Sequence, residues 1–107
     1  MFILVNEKVN QIPILSPVVV IVPAGVTRVI SFSNEFLGNA VSILISNLDA
    51  ANVATYQIGG QNQPILTLST AAFRSIDNTK ISIISITAGA AGAVQVEAQV
   101  QLFQGLK

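Results

Sequence analysis

The acids of this chain are Glu7, Glu35, Asp49, Asp77 and Glu97. A glycosidase needs two carboxyl groups flanking a cleft, and turns gathered at one end of a β-domain would be the way to bring Glu35 and Asp77 together. The simpler reading is that acids in turns accept hydrogen bonds from backbone N–H groups, since Glu35, Asp49 and Asp77 all fall in predicted turns. Asp49 and Asn52 offer oxygens to calcium, but one acid in a spaced-out loop is a weak cation site. The chain has no histidine and no cysteine. That removes the commonest general base, any Ser–His–Asp triad, zinc–thiolate sites and disulfides. A Ser–Lys pair would draw on Lys8, Lys80 or Lys107, and no spacing sets one beside a serine. Gly59-Gly60 lacks the following helix and lysine of a phosphate-binding loop and reads as a turn. The expectation is a protein that is not an enzyme, with no catalytic residue, cofactor or metal.

The elements around these residues are strands. Hydrophobic residues make up 51% of the 107 and charged residues only 9%, against about 25% charged in an ordinary soluble domain. Ser, Thr, Asn and Gln carry the polarity instead. The net charge is zero, and Lys8, Arg28, Arg74, Lys80 and Lys107 are scattered, so no attraction to nucleic acid or anionic lipid is expected. Zero net charge also removes the repulsion that keeps small proteins apart. The longest apolar run, Val18–Val22, is far short of the roughly 20 residues of a membrane helix. A transmembrane barrel would need several chains and aromatic girdles, and aromatic residues are 6% of the chain. Phe2–Val5 is closed by Asn6, Glu7 and Lys8, too short for a signal-peptide core.

Pro17–Asn34 carries the strongest strand signal: two β-branched runs, Val18–Val22 and Val26–Phe32, joined by Pro23-Ala24-Gly25, which reads as a hairpin with a tight turn. Lys8–Leu15 alternates, but Pro13 confines it to an edge, and Ser16-Pro17 sets it apart from Val18–Val22. Residues 1–7 read as an N-terminal arm, or Met1–Val5 as a short first strand. In Val26–Phe32, Arg28 shares a face with Val26, Ile30 and Phe32, so its head must reach water or a carboxylate. Further strands are read at Ala40–Asn47, Val53–Ile58 and Pro64–Leu68, with Phe73–Ile76 as a short one. Asn34–Asn39 and Asp77-Asn78-Thr79 read as turns. Lys80–Thr87 alternates with a slip at Ile83-Ile84 that marks a predicted bulge. Ala93–Phe103 alternates without a slip, with Val94, Val96, Ala98, Val100 and Leu102 opposite Gln95, Glu97, Gln99 and Gln101, as a half-buried antiparallel strand does. Turns recur every 8–12 residues or so, the spacing of a sandwich or barrel. The fold class is therefore all-β: one domain over 1–107, an antiparallel β-sandwich of about seven or eight strands with jelly-roll or immunoglobulin-like topology.

Val18–Val22 is apolar on both faces. One face meets the core. The other either lies inside the same sandwich, as in a central strand, or meets a partner, which the excess of apolar surface favours. The candidate interface residues are Val18, Val20, Val22, Phe36, Leu37, Gln95, Gln99 and Gln101. The glutamines can bond across a subunit boundary without the desolvation cost of ions.

The succession Val22-Pro23-Ala24-Gly25-Val26-Thr27-Arg28-Val29-Ile30-Ser31-Phe32-Ser33-Asn34, with Tyr56-Gln57-Ile58-Gly59 and the Gln-rich last strand, resembles small β-sandwich virion proteins of tailed and related bacteriophages. The resemblance implies a virion structural protein: a capsid decoration (cement) or minor capsid protein, or a base for a spike. It further implies a homo-oligomer, a trimer above all, that binds a major capsid protein or other virion component and assembles in the host cytoplasm. The alternative is a glycan- or host-surface-binding module displayed on a virion or cell. Such modules present exposed aromatics, for which Tyr56 is the one tyrosine available.

Overall fold

A computed structural model describes residues 14–60 and 62–103. The arm over residues 1–7, most of the Lys8–Leu15 strand and the tail after Phe103 lie outside the described residues. The elements are β1 (Leu15–Val22), β2 (Thr27–Ser31), a single helical turn α1 (Phe32–Glu35), β3 (Gly38–Asn47), β4 (Ala54–Ile58), β5 (Ile65–Leu68), β6 (Phe73–Ile81), β7 (Ile83–Thr87) and β8 (Val94–Leu102). Among the described residues they form two four-stranded antiparallel sheets, β1-β8-β3-β6 and β2-β7-β4-β5, with β1, β6, β2 and β5 as the edge strands.

The pairs β1–β8, β2–β7, β3–β6 and β4–β5 are those of one long antiparallel hairpin whose tip is the β4–β5 connection. Rolling that hairpin on itself adds the β3–β8 and β4–β7 ladders and yields the two sheets. This is jelly-roll connectivity, which decides between the two topologies the strand pattern allowed. The chain changes sheets at β1–β2, β2–β3, β3–β4, β5–β6, β6–β7 and β7–β8.

The expected β1–β2 hairpin is corrected accordingly. Pro23–Gly25 does reverse the chain, with Val26 N donating to Pro23 O at 3.1 Å and Gly25 at φ 74°. The two arms, however, pair with β8 and β7 in different sheets. Three further expectations change. Ser16-Pro17 lies within β1, and Pro17 is tolerated because β1 is an edge strand. Phe73–Ile76 and the supposed Asp77-Asn78-Thr79 turn are one nine-residue strand, with Asn78 at φ 55°. The slip at Ile83-Ile84 is no bulge: β6 ends at Ile81, Ser82 makes the corner and β7 enters the other sheet, so Ile81 and Ile84 both face the core. The bulge sits instead in β3 at Val41, where the register shifts between Ala40 and Ser42. It lets Ala40 and Ile43 both point inward.

The core lies between the sheets. The first sheet contributes Val20, Val22, Ala40, Ile43, Ile45, Ile81, Val94, Val96, Ala98 and Val100, and the second contributes Ile30, Tyr56, Leu68, Ile84 and Ile86, with Phe32 from α1. Phe32 is fully buried, and its N–H donates to Ser82 O at 2.8 Å, which ties the start of α1 to the β6–β7 corner.

Candidate functional site

The jelly roll sends four connections to one end: residues 23–26, 48–53, 69–72 and 88–93. Asn47 and Asp49, the buried polar residues of the described chain, tie the last three together, and the backbone bonds Gly25 N to Gly89 O (2.8 Å) and Ala88 N to Val26 O (3.0 Å) join the first to the fourth. The Asn47 side-chain amide donates to Asn52 O (3.1 Å), Ser69 O (3.0 Å) and Leu68 O (3.4 Å), and its oxygen accepts from Asp49 N (3.0 Å). Asp49 Oδ1 accepts from the N–H groups of Ala51 (2.8 Å) and Asn52 (2.9 Å). Its Oδ2 accepts from the Asn52 side-chain amide (3.1 Å) and Ala91 N (3.0 Å). The Ala51 N–H is the largest influence holding the Asp49 carboxyl down at about 2. The Asn52 amide, Ala91 N–H and Asn52 N–H add to it against the opposing effect of desolvation. Gly92 must be glycine here, since a Cβ would stand 2.6 Å from Asp49 Cα.

Every oxygen of Asp49 faces N–H donors, which occupy the directions a calcium ion would need. Asp49 and Asn52 are thus a structural clasp, as the turn-acid reading expected. Among the described residues no group of three or more His, Cys, Asp or Glu could hold a metal. Glu35 and Asp77 are not brought together either. Glu35 sits on α1 and accepts from Arg28 (2.7 Å) and Ser31 N (3.0 Å). The Arg28 contact first, then the Ser31 N–H, lowers its pKa. The head of Arg28 therefore does find a carboxylate, as its inward phase required. Asp77, on β6 of the other sheet, accepts from Ser42 Oγ (3.0 Å) and Ser75 Oγ (3.3 Å).

What remains is surface. On the first sheet the side chains facing away from the core form rows across the strands: Leu15–Gln101–Asn39, Pro17–Gln99–Ser42–Asp77, Val19–Glu97–Leu44–Ser75 and Ile21–Gln95–Ser46–Phe73. A shallow groove of about 350 Å³ runs among Pro17, Val19, Ser42, Leu44, Glu97 and Gln99. Gln95, Gln99 and Gln101 are on this outer face as expected, with Gln95 donating to Glu97 at 2.8 Å. Leu37 is exposed, at φ 59°.

The valines require a correction. Val20 and Val22 are buried in the core and Val18 packs against it, so the monomer itself covers them. Phe36 also packs on the core, its ring centroid 6.1 Å from that of Phe32. The strand is an edge, not central, and its exposed phase is Leu15, Pro17, Val19 and Ile21. Both phases of Val18–Val22 are equally apolar, so hydropathy alone does not choose between them. Pro17, which falls in step with Val19 and Ile21, was the available clue.

The two sides of the sandwich are both apolar. On one side the edge strands β1 and β2 expose Val19 (61%), Ile21 (50%) and Val29 (52%). On the other, the edge strands β5 and β6 expose Ile65 (67%) and Phe73 (70%). Val29, Ile65 and Phe73 were missed as interface candidates because only the fold shows that their strands are edges. Tyr56 is buried and supplies no exposed platform for a sugar. No helix among the described residues is long and apolar enough to cross a membrane.

No protein-family model matches the chain, and no curated protein matches it. Among solved structures, a chain from Bacillus endospore appendages, which form a novel family of disulfide-linked pili, superposes with a TM-score of 0.55 at 15% sequence identity, over 85% of this chain and 89% of that one. At that identity the likeness is one of fold: a small all-β sandwich, matched over nearly the full length of both chains.

Proposed function

We propose that this protein is a non-enzymatic structural subunit that associates with copies of itself, one side of the sandwich against the opposite side of the next. The observation that carries the reading is the pair of apolar strand edges on opposite sides, β1/β2 and β5/β6. Free edges with large apolar residues invite pairing unless they are guarded. Because the two sides differ, the contact is heterologous: it closes into a ring where the rotation permits and otherwise runs on as a filament. Low charge and zero net charge favour dense packing. The fold neighbour's membership of a pilus agrees with this reading. Its disulfide linkage does not transfer, since this chain has no cysteine, so here the contacts would be non-covalent.

A second reading keeps the same two-sided contact but closes it, as a trimer seated on a virion lattice as a decoration or minor capsid protein. Jelly-roll connectivity, common in viral capsid domains, favours it. Sedimentation velocity and negative-stain electron microscopy of the purified chain across micromolar concentrations test both readings. Filaments support the first and closed rings of three support the second. A chain that stays monomeric throughout contradicts both.

A further inference from the structure

The outer face of the second sheet carries a row of threonines spanning all four of its strands: Thr27 on β2, Thr87 on β7, Thr55 on β4 and Thr67 on β5. Thr27 Oγ1 and Thr87 Oγ1 share a hydrogen bond of 2.9 Å. The next row is Val29–Ser85–Gln57–Ile65. Each row therefore begins and ends on an edge strand with matching chemistry, threonine at both ends of one and a large exposed aliphatic at both ends of the other.

We propose that the second sheet continues from copy to copy, the β5 edge of one paired antiparallel with the β2 edge of the next, Thr67 opposite Thr27 and Ile65 opposite Val29. This rests on the head-to-tail reading above and adds to it the edge and the register. The direction follows from the strand count: four strands, each antiparallel to its neighbour, leave β2 and β5 running in opposite senses, so stacked copies meet as antiparallel partners. The register follows from the pleat. A slip of one residue would oppose outer to inner side chains. A slip of two would set Ile65 against Thr27 or Ser31, and Thr67 against Gly25 or Val29, and lose both matches. In the proposed register like meets like, and such cross-strand pairs are the unit of sheet stabilisation.

The edges of the first sheet are less suited. Pro17 interrupts β1, and the second half of β6 carries Asp77, Lys80 and the positive-φ Asn78, the usual guards of an edge. β2 and β5 contain no proline. Their one charge, Arg28, is already paired with Glu35 at 2.7 Å, so no unpaired ion enters the seam.

The absence of native cysteine makes cross-linking a clean test. Opposed residues place their Cβ atoms about 4.5–5.5 Å apart, close enough for a disulfide after slight adjustment. The full chain carrying Thr27→Cys with Thr67→Cys is assembled, oxidised mildly and run on a non-reducing gel, with far-UV circular dichroism to confirm folding. The expected result is a ladder of multimers holding most of the chain. The register-shifted pair Thr27→Cys with Ile65→Cys, and the first-sheet pair Ile21→Cys with Phe73→Cys, should give at least tenfold less. Assembly by electron microscopy with no Thr27/Thr67 ladder, or with a stronger ladder from either control pair, overturns the proposed edge and register while leaving head-to-tail assembly standing. Failure of the unmodified chain to assemble at all overturns both.

Discussion

Replacing Asn47 by Asp changes one group and almost no volume, yet it should be among the most damaging surface-neutral substitutions in the chain. The Asn47 amide nitrogen donates to Asn52 O, Ser69 O and Leu68 O, and so binds two connections and the end of β5 at one end of the sandwich. In Asn47→Asp those three carbonyl oxygens face a carboxylate instead. A buried hydrogen bond contributes about 1 kcal/mol net, and an orphaned partner costs about 1–3 kcal/mol. An uncompensated buried charge costs about 3–5 kcal/mol. The charge is the larger effect, so a loss of about 3–5 kcal/mol at neutral pH is expected, out of the total of roughly 5–15 kcal/mol typical of a domain. At about 4 °C per kcal/mol for this size, Tm falls by about 12–20 °C. Asn47→Ala, which leaves no charge, should lose about 2–4 kcal/mol. The sign of the pH dependence is diagnostic. The new carboxyl has a raised folded pKa, so its penalty grows as pH rises through that value and shrinks as pH is lowered from 7 towards 5. Urea melts at both pH values measure this. A variant within about 1 kcal/mol of the parent, or one with no recovery at pH 5, would refute the assignment of Asn47 as the clasp.

Other consequences follow from the same geometry. The Asp49 carboxyl titrates at about 2 in the fold against an ordinary 3.8, so it binds fewer protons folded than unfolded. Its stabilisation is complete above about pH 4 and is lost as pH falls towards 2, and Asp49→Asn should flatten the acid limb of the pH–stability curve. Phe32→Ala empties a fully buried site and should cost about 3–5 kcal/mol by denaturant melts. Arg28→Ala breaks a half-exposed ion pair and should cost no more than about 1 kcal/mol. Gly92→Ala drives a methyl against the Asp49 backbone and should cost about 1–3 kcal/mol.

Much of the fold was legible because strands covered on one face announce themselves by alternation. β8 and β4 were read nearly to the residue, and the turn after β4 was clear from Gly59-Gly60. The errors share a cause. A Pro-Gly turn says that the chain reverses, not whether the returning strand joins the same sheet, so β1–β2 read as a hairpin. The break at Ser82 looked like a bulge for the same reason, since a one-residue corner between sheets and a bulge shift the alternation alike. Half of the clasp was legible: Asp49 in Leu48–Asn52 capping its own turn is a local pattern. Its bond to Ala91 and the reach of Asn47 to Ser69 join segments that only the roll brings together. The exposed phase of β1 was hidden by uniform hydropathy, and it became visible only once β1 proved to be an edge.

The two-sided contact is tested most directly by blocking one side at a time. One variant carries Ile65→Lys and Phe73→Lys on the β5/β6 side, and another carries Val19→Lys and Val29→Lys on the β1/β2 side. Both changes sit on exposed residues, so both variants should fold. The head-to-tail account predicts that each variant alone is monomeric in sedimentation velocity and that an equimolar mixture forms a heterodimer and nothing larger. A singly blocked variant that still forms dimers or filaments, or a mixture that stays monomeric while the parent chain assembles, would contradict it.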